Sequence, residues 1–164
     1  MKGFKVKDDK RIQIMLESGE KNVITAMDDR DLHQVGYLNF KLGKDKTAYL
    51  WSIKVTDVEF LRTGVGTVML NCFESYCARN YVRRVEGRFY PNGDGGIFAR
   101  EFYEDHGYKF FRDGYEQYIS KPLSYDNIDE KFLVSEEDDE QMADVFEDVF
   151  KLPHTIEEDM GQVQ

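Results

Sequence analysis

The run Leu61-Arg62-Thr63-Gly64-Val65-Gly66-Thr67 constrains this chain more than any other. It joins an apolar strand-like stretch, Ala48 to Val55, to a helix-like one, Val65 to Asn80. Two glycines at i and i+2 let the backbone turn sharply and come close to a ligand, while the uncapped N–H groups at a helix start favour negative charge. The expected occupant is a phosphate or pyrophosphate, held by the N–H groups of the Thr63, Gly64, Val65, Gly66 and Thr67 segment. Arg62 beside them could meet a phosphate as a charge-assisted donor, or be a solvated loop-tip arginine. The plainer reading is that Gly64 and Gly66 only make a strand-to-helix turn.

Spacing separates this loop from other phosphate loops. A nucleotide-triphosphate loop requires Lys and Ser/Thr directly after its last glycine, and Gly66 is followed by Thr67-Val68. A dinucleotide fingerprint requires a third glycine where the sequence has Met69. A second motif lies downstream. Ala99-Arg100-Glu101-Phe102-Tyr103-Glu104-Asp105-His106-Gly107-Tyr108 reads as a helix ending at a glycine and passing into an aromatic strand.

Together the two motifs resemble the GNAT N-acetyltransferase superfamily, whose pattern is strand, Arg/Gln-x-x-Gly-x-Gly/Ala, helix, strand, then Ala-x-x-x-Tyr-x-x-x-Gly-Phe. Gly64, Gly66, Ala99, Tyr103 and Gly107 match, and the resemblance covers about residues 20 to 121. Tyr108 stands where Phe is usual, Leu61 where Arg or Gln is usual, and Gly96 where Asn is often found. The fold implied is α+β, a mixed and mostly antiparallel sheet flanked by helices.

Periodicity agrees with that order. Alternating apolar and polar residues recur in Arg11 to Leu16, Asn22 to Met27, Val35 to Leu42 and Tyr49 to Val55, and read as a four-strand antiparallel meander. A helix from Val65 to Asn80 carries Val65, Met69, Phe73, Tyr76 and Cys77 along one face. A strand from Arg83 to Tyr90, a helix from about Ile97 to His106, and a closing hairpin of Tyr108 to Phe111 and Tyr115 to Ser120 complete the order. The family's first strand is usually followed by two short helices that wall the acceptor site. Between Leu16 and Asn22 there is no room for them.

Charge divides the chain. Residues 1 to 121 hold 20 Lys/Arg against 18 Asp/Glu, whereas residues 122 to 164 hold 2 against 14. The expected organisation is one acetyltransferase-like domain over residues 1–121 and an acidic extension over 122–164. In the extension a capping box at Ser135-Glu136-Glu137-Asp138 precedes Met142, Val145, Phe146, Val149 and Phe150 at helical spacing, which predicts an amphipathic helix at about 136–151. That helix could pack on the domain, pair with a second copy, recruit a protein partner or wall the acceptor cleft.

No apolar run approaches the roughly 20 residues needed to cross a bilayer, and the start Met1-Lys2-Gly3-Phe4-Lys5 has no secretory apolar segment, so a cytoplasmic protein with no membrane partner is expected. Cys72 and Cys77 are too few for a zinc site, and His33, His106 and His154 have no ligand spacing around them, so no metal is expected. Arg79, Arg83, Arg84 and Arg88 are the only basic stripe with neighbouring aromatics, too little for a nucleic-acid surface, although they could meet the 3′-phosphate of a coenzyme.

The resemblance implies acyl transfer from acetyl-CoA to an amine in a ternary complex, the acceptor being a protein amine or a small cationic one. It implies a pantetheine arm beside Ile53 to Val55, and Tyr103 as the general acid for the departing thiolate. Without the family pattern Tyr103 reads as a core aromatic of the Phe98-Phe102-Tyr103 cluster. The usual carboxylate of the strand before the glycine loop is missing. Asp57 and Glu59 are the nearest acids, with Glu59 the candidate base and proton loss to bulk water the alternative. A reading from another class is a binding module on a degenerate acetyltransferase scaffold that has lost the coenzyme and recruits a partner through its acidic helix.

Overall fold

The computed structural model describes residues 1–19, 22–91 and 96–134, with backbone only for 96–98. The expected helix at about 136–151, the loop 92–95 and the rest of the acidic segment from 135 onward lie outside the described residues.

Eight strands form one sheet in the order β1-β2-β3-β4-β5-β6-β8-β7. They are β1 Lys2–Lys5, β2 Arg11–Glu17, β3 Asn22–Asp28, β4 Gln34–Leu42, β5 Thr47–Val55, β6 Arg84–Phe89, β7 Lys109–Asp113 and β8 Glu116–Pro122. Helix α1, Val65–Arg79, joins β5 to β6, and α2, Gly96–Asp105, joins β6 to β7. Every pairing is antiparallel except β5 with β6. Parallel neighbours need a crossover, and α1 supplies it. The absence of helices between β2 and β3 agrees with the expectation, since β2 ends at Glu17 and β3 begins at Asn22. No helix among the described residues is long and apolar enough to cross a membrane.

The meander has one strand more than its periodicity predicted. Lys2–Lys5 has a single apolar side chain larger than glycine and no alternation to read. It is held by residues far away: Phe4 stacks on Phe132 at 5.6 Å, and the Lys2 Nζ donates to the carbonyls of Glu130 and Leu133 at 3.0 and 3.2 Å. The segment after β8 therefore belongs to the packed body. Leu123, Phe132 and Val134 are buried, and the body runs through Val134, past the residue 121 that the charge pattern suggested.

That segment also explains why α1 is buried on more than the one predicted face. Val65, Met69, Phe73 and Cys77 face the sheet side of the core, with Phe73 4.9 Å from Phe40. On another side the Ser75 hydroxyl donates to the Asn127 carbonyl at 3.3 Å and accepts the Asp129 N–H at 3.2 Å. Cys72 and Cys77 are free and buried, and burial pushes both thiols up, leaving them unreactive packing groups.

One irregularity shapes the middle of the sheet. Phe40 pairs with Leu50 and Asn39 with Ser52, so Trp51 is an extra residue bulged out of β5. A bulge bends its strand and increases local twist. The parallel ladder between β5 and β6 covers only Thr47 to Leu50 against Arg84 to Gly87. Beyond it, β5 runs on to Val55 and β6 to Phe89 without pairing to each other. The sheet opens there into a cleft.

Candidate active site

The glycine loop stands at the far end of β5. After Val55, the Asp57 side chain caps a 3-10 turn, Val58–Phe60, by accepting the Glu59 N–H at 2.9 Å. The chain then passes through Arg62, at φ 61°, and Gly64, at φ 102°, into α1. Only glycine enters that second conformation without strain, so the first glycine of the motif is fixed by geometry. Gly64 is the residue before the helix, it makes no side-chain cap, and the first intrahelical bond runs from the Val68 N–H to its carbonyl at 3.0 Å. The N–H groups of Val65, Gly66 and Thr67 therefore have no partner within the helix.

Thr63 behaves differently from its neighbours. It is fully buried, its hydroxyl donates to the Phe60 carbonyl at 2.7 Å, and its own N–H reaches the same carbonyl at 3.4 Å. Its carbonyl accepts the Lys7 N–H at 2.9 Å. Thr63 thus anchors the loop to the β1–β2 turn, and the anion donors begin after it. Leu61 and Arg62 are exposed.

Gly66 sits beside α2: a β-carbon there would stand 3.5 Å from the Phe102 ring. From the same helix Tyr103 packs edge-on to Phe89 at 6.4 Å, where β6 has left β5, and touches Phe102, Tyr108 and Phe110 at 5.6, 5.6 and 6.5 Å. Burial among these rings pushes its hydroxyl up to about 12. The hydroxyl is a permanent proton carrier at neutral pH. On the other wall, Ile53 and Val55 are half-buried and pack against the core from β5.

The start of α1 thus lies against Phe102 of α2, and Tyr103 of the same helix packs on Phe89 of β6 beyond its parallel ladder with β5. Glu59 is exposed in the 3-10 turn. Arg83, Arg84 and Arg88 already have partners. Arg83 lies 4.5 Å over the Tyr125 ring, Arg84 is 3.7 Å from Glu86, and Arg88 donates to Glu116 at 2.7 Å.

One cluster at this end has no counterpart in the sequence reading. His33, in the β3–β4 loop, meets Asp31 through Nδ1 at 2.5 Å and Asp57 through Nε2 at 2.7 Å. Next to it the buried Asp28 carboxylate accepts the Arg30 guanidinium at 2.8 Å and the Arg30 backbone N–H at 2.9 Å. Asp28, Asp31 and His33 offer ligand atoms within 4.8 Å of one another, yet each is already occupied by a neighbour of opposite sign. The cluster is an ion-pair network. Asp31 and His33 are two residues apart, which carries no signal, and Asp57 is 24 residues further on.

No family model matches the chain, and no curated protein matches it. Solved structures do. A GNAT-family acetyltransferase from Staphylococcus aureus Mu50 superposes with a TM-score of 0.56 at 14% identity, over 63% of this chain and 68% of that one. The PaiA N-acetyltransferase from Thermoplasma acidophilum, solved with coenzyme A, gives 0.52 at 18% identity, over 62% of this chain and 60% of that one. The ribosomal-protein-S18-alanine N-acetyltransferase from Escherichia coli gives 0.53 at 18% identity, over 65% of this chain and 72% of that one. The match to the Thermoplasma protein spans less than two thirds of its length. The chain has the fold of the GNAT N-acetyltransferases.

Proposed function

We propose that the chain is an N-acetyltransferase that moves an acetyl group from acetyl-CoA to a primary amine of a protein or a small cationic molecule. The observation that carries this reading is the parting of β5 and β6 after Leu50 and Gly87, which leads to the uncapped start of α1. A cleft of that shape suits a long thiol ester with an anionic end: Val65, Gly66 and Thr67 offer N–H groups to the pyrophosphate, and the unpaired edge of β5 near Ile53 to Val55 offers backbone groups to the amide-bearing arm.

In the reaction the amine nitrogen forms a bond to the acyl carbon, the carbon–sulfur bond breaks, and the thiolate leaves. Tyr103 is the donor toward that sulfur. A thiol titrates near 8.5, so complete transfer from a hydroxyl held at about 12 would be uphill by roughly 5 kcal/mol. Tyr103 therefore works as a hydrogen-bond donor that stabilises the developing thiolate, with the proton finally supplied by solvent. Proton loss from the ammonium acceptor goes to water through the cleft, which has no helices between β2 and β3 to wall it. Glu59, exposed in the 3-10 turn, is the alternative acceptor of that proton.

Calorimetric titration with acetyl-CoA tests the proposal. Micromolar binding supports it. No binding at millimolar ligand favours the partner-recruiting scaffold.

A further inference from the structure

Both ring nitrogens of His33 face a carboxylate oxygen, that of Asp31 at 2.5 Å and that of Asp57 at 2.7 Å. A neutral imidazole has one N–H, so it can satisfy only one of them and would set a lone pair against the other carboxylate. An imidazolium satisfies both. Asp57 is also the residue whose second oxygen accepts the Glu59 N–H and starts the 3-10 turn into the glycine loop. The Thr56 and Asp57 N–H groups reach the Val35 carbonyl at 2.8 and 3.4 Å, so the start of β4 and the exit of β5 are already adjacent. His33 adds a charged tie between them.

We propose that His33 is a positioning residue for the coenzyme loop: as an imidazolium between Asp31 and Asp57 it fixes the turn that presents Val65, Gly66 and Thr67 to the pyrophosphate. This rests on the acetyl-CoA reading above, and it touches no reacting atom. The charged groups around His33 are Asp28, Arg30 and Asp31 from the β3–β4 segment and Asp57 and Glu59 from the turn after β5. Four carboxylates surround one guanidinium and the imidazole, a field that favours the cation.

The sign follows from those partners. The hydrogen bonds that the ring donates to Asp57 and then to Asp31 raise His33 above its ordinary 6.5. The tie is fully present below about 6.5 and weakens as pH rises through the raised value. At the acid end Asp57 and Asp31, both lowered from 3.8, keep it until pH falls through their lowered values.

The test is calorimetric binding of dephospho-coenzyme A, which lacks the 3′-phosphate whose second ionisation near about 6 would overlap. Wild-type affinity is expected to fall about tenfold for each unit by which coenzyme binding shifts the His33 pKa, as pH rises through that value. His33→Ala is expected to bind about tenfold more weakly at pH near 5.5 with a flat profile. His33→Arg, which keeps the charge and two donors, is expected to restore affinity and keep the profile flat. Wild-type-like affinity and pH dependence in His33→Ala overturn the proposal.

A second readout needs no coenzyme. Amide hydrogen exchange at Thr56, Phe60, Leu61 and Thr63 should quicken in His33→Ala, and unchanged exchange counts against the tie. If the wild type binds no coenzyme while exchange responds, the tie stands and the acetyltransferase reading falls.

Discussion

The Tyr108 hydroxyl donates to one oxygen of the Glu74 carboxylate at 2.8 Å, in the interior between α1 and the strand that follows α2. The Lys121 ammonium holds the other oxygen at 2.6 Å. Glu74 is 5% exposed, and among the described residues these two donors hold its charge inside. The arrangement accounts for a tyrosine at the position where the resembling family has Phe: the ring packs in the core and the hydroxyl answers a carboxylate on α1. Tyr108→Phe should cost about 1 to 2 kcal/mol, the loss of one bond to a buried acceptor, and Lys121→Met about 3 kcal/mol or more, because it leaves the carboxylate without its counter-charge. Urea unfolding of the two variants measures both.

The two glycines of the loop should respond oppositely to the same change. Gly64→Ala forces a side chain into φ 102° and should cost about 1 to 2 kcal/mol. Gly66→Ala lies within α1, where a β-carbon meets Phe102 at an ordinary 3.5 Å, so it should stabilise the protein by up to about 1 kcal/mol through helix propensity. Yet the added methyl stands at the anion-facing start of the helix. Thermal melting should show Gly66→Ala above wild type while calorimetry shows weaker acetyl-CoA binding.

Tyr103→Phe separates chemistry from binding. Among the described residues no hydrogen bond ties the Tyr103 hydroxyl to the fold, so its removal should leave the melting temperature unchanged or slightly raised. The acetylation rate should fall by about 10²-fold with coenzyme affinity preserved. Because burial lifts the hydroxyl to about 12 and the protonated form is the working one, wild-type activity should show no falling limb from this group until pH approaches that value. A rate–pH profile of the two proteins checks it.

Gly87 lies in the one parallel junction among the described residues. A β-carbon there would stand 2.8 Å from the Leu50 carbonyl oxygen and 3.2 Å from Ile119. Gly87→Ala should therefore destabilise by about 1 to 3 kcal/mol, and Gly87→Val by more, since relief requires β5 and β6 to separate where they should meet. Denaturant midpoints rank the three proteins.

The parts of the fold that were legible in the sequence are those whose signal is local. The strands β2 to β5 alternate, α1 and α2 are periodic, and the turn glycines at 107 and 114 take φ of 86° and 65° as such turns require. β1 could not be read, because Phe4 is buried by Phe132, which stands 128 residues away. The bulge at Trp51 was equally hidden, since it depends on register against β4 rather than on any property of Tyr49 to Val55. In the site, the glycine spacing located the start of α1 but not the inward commitment of Thr63. His33 escaped because its second partner comes from another loop.

The bulge has a practical corollary. Trp51 is the chain's single tryptophan, it is 65% exposed, and it sits where β5 turns away from β6. Intrinsic tryptophan emission from this protein is therefore a one-point optical probe of the place where the two strands part. Changes in its wavelength and quenching during titrations report events at that junction with no label and no engineered residue.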